Sequence, residues 1–170
     1  MYGMFKLNDV YDGILAGAER PISWGSGSLL LDGNSDYIGI ADGDRWDLHQ
    51  SNWTWECFFY PLGTSSNMGL MHFSNTGGNS GYTNIRINSN SAVITNHWNH
   101  VRVTYDGSTV RMWLNGIHQA SASGDNITAP SNGTDGMTVR IGCYGEASSN
   151  PNAYFYGYMD EVRILKGKAA

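Results

Sequence analysis

Six side chains could hold a ligand between them. Glu56, Phe58, Arg102, Arg111, Trp113 and Arg163 supply a carboxylate, guanidinium groups and aromatic rings. Carboxylates and guanidinium groups hydrogen-bond sugar hydroxyls, and rings accept the C–H faces of sugars, so this is the chemistry of a glycan-binding face. The same residues have a plainer reading, a salt-bridged strand face on which Glu56 meets Arg163. Both readings need the six to point the same way, away from a core, on strands whose side chains alternate.

A second point of chemistry is Asp160. In Phe155-Tyr-Gly-Tyr-Met-Asp-Glu-Val-Arg-Ile164, Val162 and Ile164 alternate with Glu161 and Arg163. Strict alternation places Asp160 on the apolar side, where a carboxylate must be paired, hydrogen-bonded or bound to a cation. Other chemistries find no support. There is no Gly-x-Ser-x-Gly elbow, and His97-Trp-Asn-His100 lacks the spacing and third ligand of a zinc site. Cys57 and Cys143 form no CxxC pair; free, buried thiols are expected, and a bridge would need their strands to be adjacent.

Strands must position these groups, and the composition favours them. The 170 residues fit one domain with a substantial core. Charged residues make up 15% and aromatics 12%, with 22 glycines and few helical periods, which suits an all-β domain with many turns. A formal net charge of −5 with scattered Lys and Arg argues against a nucleic-acid partner. No apolar run is long enough to span a bilayer, so no membrane insertion is expected. The start, Met1-Tyr-Gly-Met-Phe-Lys, does not read as a signal peptide. The abrupt end Lys166-Gly-Lys-Ala-Ala170 favours a piece of a longer protein. An extracellular surface or a virion is the favoured location.

The turn signals divide the chain into short strands. Residues 1–27 read as an N-terminal strand or loop segment packed on a domain that runs over 28–170. Strands are expected at 28–31, 37–40, 53–60, 68–73, 82–87, 97–105, 109–114, 117–120, 137–141 and 155–164, with a loop at 42–48 and a polar loop over 121–136. Asp106-Gly107 and Asn115-Gly116 are tight-turn signals. The pattern predicts an antiparallel two-sheet jelly-roll sandwich. Val101, Val103, Tyr105, Met112, Leu114, Val162 and Ile164 should face the core, with His100, Arg102, Arg111 and Arg163 opposite. Trp46, Trp53, Trp55 and Trp98 read as core or core rim.

Several stretches carry a family resemblance. Leu29-Leu-Leu-Asp-Gly-Asn-Ser-Asp-Tyr-Ile38, Trp53-Thr-Trp-Glu-Cys-Phe-Phe-Tyr-Pro61, Trp98-Asn-His-Val-Arg-Val-Thr-Tyr-Asp-Gly107, Val110-Arg-Met-Trp-Leu-Asn-Gly116 and Phe155 to Ile164 resemble, in order, strands of the concanavalin A-like, laminin G-like jelly roll. The resemblance spans about residues 28–168 and departs between Tyr60 and Trp98, where the usual strands look shortened. The tail Leu165-Lys-Gly-Lys-Ala169 resembles versions of the domain in phage and environmental viral structural proteins.

The resemblance implies a non-catalytic module for carbohydrate binding or adhesion. The implied partner is a glycan, a host-surface polysaccharide or a neighbouring virion or surface domain. A purely structural virion domain without a small-molecule ligand is the alternative, and a glycan hydrolase is a lesser one. Enzymes of the family carry acids in a Glu-x-Asp-x-x-Glu pattern on one strand face; here Glu56 is followed on that face by Phe58 and Tyr60, so the second carboxylate is missing. The resemblance also implies one structural calcium ion, held by Asp160 with Asp32, the Gly33 carbonyl, Asn34 and Asp36. The alternative for Asp160 is a turn clamp that accepts backbone N–H groups.

Overall fold

The computed structural model describes residues 27–40, 51–63, 68–75, 82–87, 93–123, 137–144 and 153–169. Nearly all of the N-terminal segment, the loop at 42–48 and Trp46 lie outside the described residues. The strands are β1 (Leu29–Asp32), β2 (Ile38–Ile40), β3 (Trp53–Pro61), β4 (Met68–Asn75), β5 (Tyr82–Ile87), β6 (Asn99–Tyr105), β7 (Thr109–Leu114), β8 (Ile117–Ser123), β9 (Met137–Ile141) and β10 (Tyr156–Lys166). One sheet has the order β1-β10-β3-β6-β7-β8 and the other β2-β9-β4-β5. Every pairing is antiparallel. This is the predicted jelly-roll sandwich. The polar loop predicted from residue 121 starts later, because β8 continues to Ser123 opposite Thr109.

The core lies between the sheets and is built by alternation. Trp53, Trp55, Cys57 and Phe59 of β3 are each 1% exposed or less. Val103 and Val101 of β6 sit opposite Trp55 and Cys57, and Leu114 and Met112 of β7 sit opposite those valines. The smaller sheet contributes Leu70, Met71, Val139 and Ile141, and Phe155 meets Phe59 edge to face at 6.2 Å. Val101, Val103 and Leu114 are buried as predicted, while Tyr105, Met112, Val162 and Ile164 are partly buried against the same cluster. Both cysteines are buried free thiols, Cys57 in the large sheet and Cys143 just after β9 of the small one.

The closing strand departs from strict alternation. Met159 pairs with Phe59 and Asp160 with Phe58, but Arg163 pairs with Glu56, so two residues of β10 stand against Cys57. This is a β-bulge. Glu161 takes φ 48° there, and its backbone N–H donates to Asp160 Oδ1 at 2.8 Å. The bulge corrects the expectation for Asp160. Its side chain shares the outer face with Phe58, not the core face with Val162 and Ile164, because the extra residue changes the phase between them.

Gly157 brings β10 close to β3. It has φ 146° and lies opposite Pro61, and a Cβ there would run into the carbonyl oxygen of Tyr60. Gly167 also has a positive φ, 83°, but no atom lies near its missing Cβ. Gly157→Ala should therefore lower stability by more than about 2 kcal/mol, and Gly167→Ala by only about 1 kcal/mol. Urea unfolding of the two variants checks the difference.

Candidate functional site

Register assembles a row of side chains on the outer face of the six-stranded sheet. Arg163 of β10 pairs with Glu56 of β3, Glu56 with Arg102 of β6, Arg102 with Trp113 of β7, and Trp113 with His118 of β8. The next rung carries Asp160, Phe58 and His100, and on the other side Thr104 pairs with Arg111. All six residues expected to form a ligand face are thus on one face of neighbouring strands. Side chains directly opposite on antiparallel strands stand close enough to interact.

The plainer reading of Glu56 also holds. Arg163 Nη2 donates to Glu56 Oε1 in an ion pair, and His100 Nε2 lies 3.6 Å from Oε2. Glu56 and His100 are buried, whereas Arg163 keeps half its side chain exposed. Burial alone would raise the Glu56 pKa; the nearby His100 ring and the Arg163 hydrogen bond and ion pair outweigh it and hold the carboxyl below its ordinary value. His100 is placed by its ring contact with Phe58, 4.7 Å between centroids, and by its backbone N–H donating to Asn115 Oδ1. Asn115 occupies the β7–β8 turn with φ 48°, followed by Gly116 at φ 72°. Buried Asn99 fastens the same end of the sheet: its Oδ1 accepts from Asn115 Nδ2 and the Ile94 N–H, and its Nδ2 donates to the Ile94 and His97 carbonyls.

Arg111 and Arg102 have different surroundings. Arg111 forms an ion pair with Asp106, whose Oδ1 also accepts from the Ser108 and Thr109 N–H groups. Those bonds, that of Arg111 foremost, hold the Asp106 carboxyl well below the usual carboxylate range. Arg102 instead lies over the Trp113 ring, its guanidinium carbon 4.7 Å from the centroid, and Trp113 meets His118 edge to face at 5.6 Å.

Two features of the face escaped sequence reasoning. Tyr60 pairs with Tyr158 at 6.0 Å and packs on Trp98 at 5.6 Å, both edge to face, so an aromatic corner stands beside the charged row. Trp98, expected in the core or its rim, belongs to this corner; its contact with Tyr60 places it on the outer side. Asp160 is the second. It brings another carboxylate to the face of Glu56, from a different strand than a search along β3 would examine.

The proposed calcium donors do not come together. Leu29 pairs with Met159 and Asp32 with Tyr156, so Asp160 lies four rungs along β10 from the position opposite Asp32, about 13 Å at the usual strand rise. Within the turn the Asp32 carboxylate is engaged by its own backbone. Asp32 Oδ1 accepts from the N–H groups of Asn34, Ser35 and Asp36, and Oδ2 from the Ser35 hydroxyl. These bonds, led by that of Ser35, hold the Asp32 carboxyl at about 2. Among the described residues no group of three His, Cys, Asp or Glu side chains could hold a metal.

The family model described as the Concanavalin A-like lectin/glucanases superfamily matches residues 73–169, more than half of the chain. No curated protein matches by sequence. Among solved structures the chain is similar to domain 4 of AbnA, a GH43 extracellular arabinanase from Geobacillus stearothermophilus, in complex with arabinotriose. The TM-score is 0.58 and the identity 16%, covering 90% of this chain and 79% of that one. It is similar also to the CBM40 of the Ruminococcus gnavus IT-sialidase bound to α2,3-sialyllactose, with TM-score 0.56, 15% identity, and 82% and 91% of the two chains covered. Domains LG4-5 of the mouse laminin α1 chain give TM-score 0.53 and 14% identity, with 81% of this chain but 40% of that one covered. At such identities the likeness is one of fold.

Two outcomes follow from this geometry. Because the folded-state pKa of Glu56 is depressed, its contribution is present above the ordinary value of 4.5 and is lost as pH falls through the folded value. Glu56→Gln should lower stability at pH 7 by about 1–3 kcal/mol, and the gap from wild type should close below pH 4.5 in urea titrations. For the metal, calcium or a chelator should shift the Tm of wild type and of Asp160→Asn equally, since Asp160 and Asp32 cannot share an ion. A calcium-dependent gain lost only in Asp160→Asn would overturn this.

Proposed function

The chain belongs to the concanavalin A-like lectin/glucanase superfamily, and from that membership we propose that it is a non-catalytic carbohydrate-binding or adhesion module. The observation that carries this reading is the row Arg163, Glu56, Arg102, Trp113 and His118 on one sheet face, flanked by the corner of Tyr158, Tyr60 and Trp98. It offers hydrogen-bonding charges beside rings, as sugar hydroxyls and C–H faces require. Two neighbours in fold hold a saccharide, arabinotriose in one and α2,3-sialyllactose in the other.

Binding is favoured over hydrolysis. A glycosidase needs a carboxyl of raised pKa as acid and a second carboxylate as base or nucleophile. Glu56 is pushed the wrong way for an acid, and its oxygens face Arg163 and the His100 ring. Asp160 shares the face, but its Oδ1 is held by the Glu161 N–H at the bulge. A structural assembly domain is the second reading. It draws on Leu29 and Leu30, exposed on edge strand β1, where a neighbouring chain could pair. A virion or cell-surface setting rests on the sequence of the tail.

A glycan array with wild type and Trp113→Ala tests the proposal. Wild type should bind saccharides without cleaving them, and Trp113→Ala should weaken binding about tenfold. A folded wild type that binds no glycan and sediments as an oligomer would favour the assembly domain.

A further inference from the structure

The charged groups of the face fall into satisfied sets, with Arg102 left over. Glu56 is shared by Arg163 and His100, and Arg111 is taken by Asp106. Arg102 stands directly opposite Glu56, yet among the described residues it forms no ion pair. Its Nε is shielded from water and meets no acceptor. A guanidinium N–H that is desolvated and unbonded is costly, and its energy improves when an anion arrives. Trp113 holds the guanidinium by a cation–π contact, which limits its motion.

We propose that Arg102, on its Trp113 platform, is the carboxylate-recognising position of the glycan face, and that the ligand is a carboxylated sugar rather than a neutral one. This rests on the glycan-binding reading above. A planar carboxylate matches one guanidinium fork bidentately. The surroundings aim it there. The Glu56 charge is already matched by Arg163 and His100, so it does little to repel an anion at Arg102. Asp160 lies toward the other side of the row, opposite Phe58. Exposed His118, against the far edge of Trp113, flanks the approach with a ring that can donate a hydrogen bond. The whole chain carries −5, so the attraction is local and the selectivity comes from this corner.

The test uses an array of uronate-containing, sialylated, sulfated and neutral oligosaccharides. It is followed by calorimetry with trigalacturonic acid against its methyl ester and α2,3-sialyllactose against lactose. Wild type should bind at least one carboxylated member over its neutral counterpart by about tenfold or more. Arg102→Gln should remove that preference, bringing the ratio of acid to neutral binding close to one, and Arg102→Lys should restore part of it. Near-UV circular dichroism shows whether the variants fold; if Arg102→Gln does not, the acid-to-ester comparison on wild type decides. Equal binding of acid and ester, binding of sulfated or neutral glycans alone, or a carboxylate preference unmoved in folded Arg102→Gln would overturn the inference and leave the glycan-binding reading standing. Silence across all four glycan classes would overturn both.

Discussion

A carboxylate in the middle of a six-stranded sheet has to be met from the strands beside it, and Glu56 is. Arg163 reaches it from β10 and His100 from β6, so both oxygens are paired where water has little access. The arrangement depends on the bulge in β10. With unbroken register from Met159 opposite Phe59, Arg163 would stand opposite Trp55 in the core and Val162 opposite Glu56. The extra residue puts Ile164 opposite Trp55 and Arg163 opposite Glu56. One local irregularity therefore completes the core and neutralises the acid. Asp160 supports it by accepting the N–H of Glu161, whose φ is positive.

Because side chains alternate, β3 serves both faces at once. Trp53, Trp55, Cys57 and Phe59 form the wall of the core, while Glu56, Phe58 and Tyr60 between them form the centre of the candidate site. The site is thus held by a strand that also walls the core. Groups fixed on strands lose little freedom when a ligand arrives, which lowers the cost of recognition. The Asn99 and Asn115 network closes one end of this surface and sets the backbone of His100.

The same locking weighs against a role for Glu56 as a catalytic acid. A fold of this kind hosts many functions, so the side chains of the site must decide. Here the central acid is held ionised by His100 and Arg163. Among the described residues of the face, Arg102 forms no ion pair and lies against Trp113. Chemistry that would need a free acid is disfavoured, and recognition by a poised guanidinium is favoured.

Much of the sandwich could be read from the chain because it is set by local rules. The alternation in Trp53 to Tyr60, the Asp106-Gly107 and Asn115-Gly116 turns, and the hairpin between them fix strand positions and faces over neighbouring residues. That sufficed to place Glu56, Phe58, Arg102, Arg111, Trp113 and Arg163 on one side. What it could not supply was anything that depends on strands distant in sequence. The pairing of β10 with β1 sets Asp160 four residues along the strand from the place opposite Asp32, and so separates it from the other expected calcium donors. The bulge turns Asp160 to the outer face, and a bulge is a compromise between two partners' registers, invisible in either strand alone. Trp98 reads from the sequence as core or core rim, and packing against Tyr60 puts it on the outer side. Alternation within a strand is a property of the sequence; which residues stand opposite, and where alternation breaks, is decided only when the sheet closes.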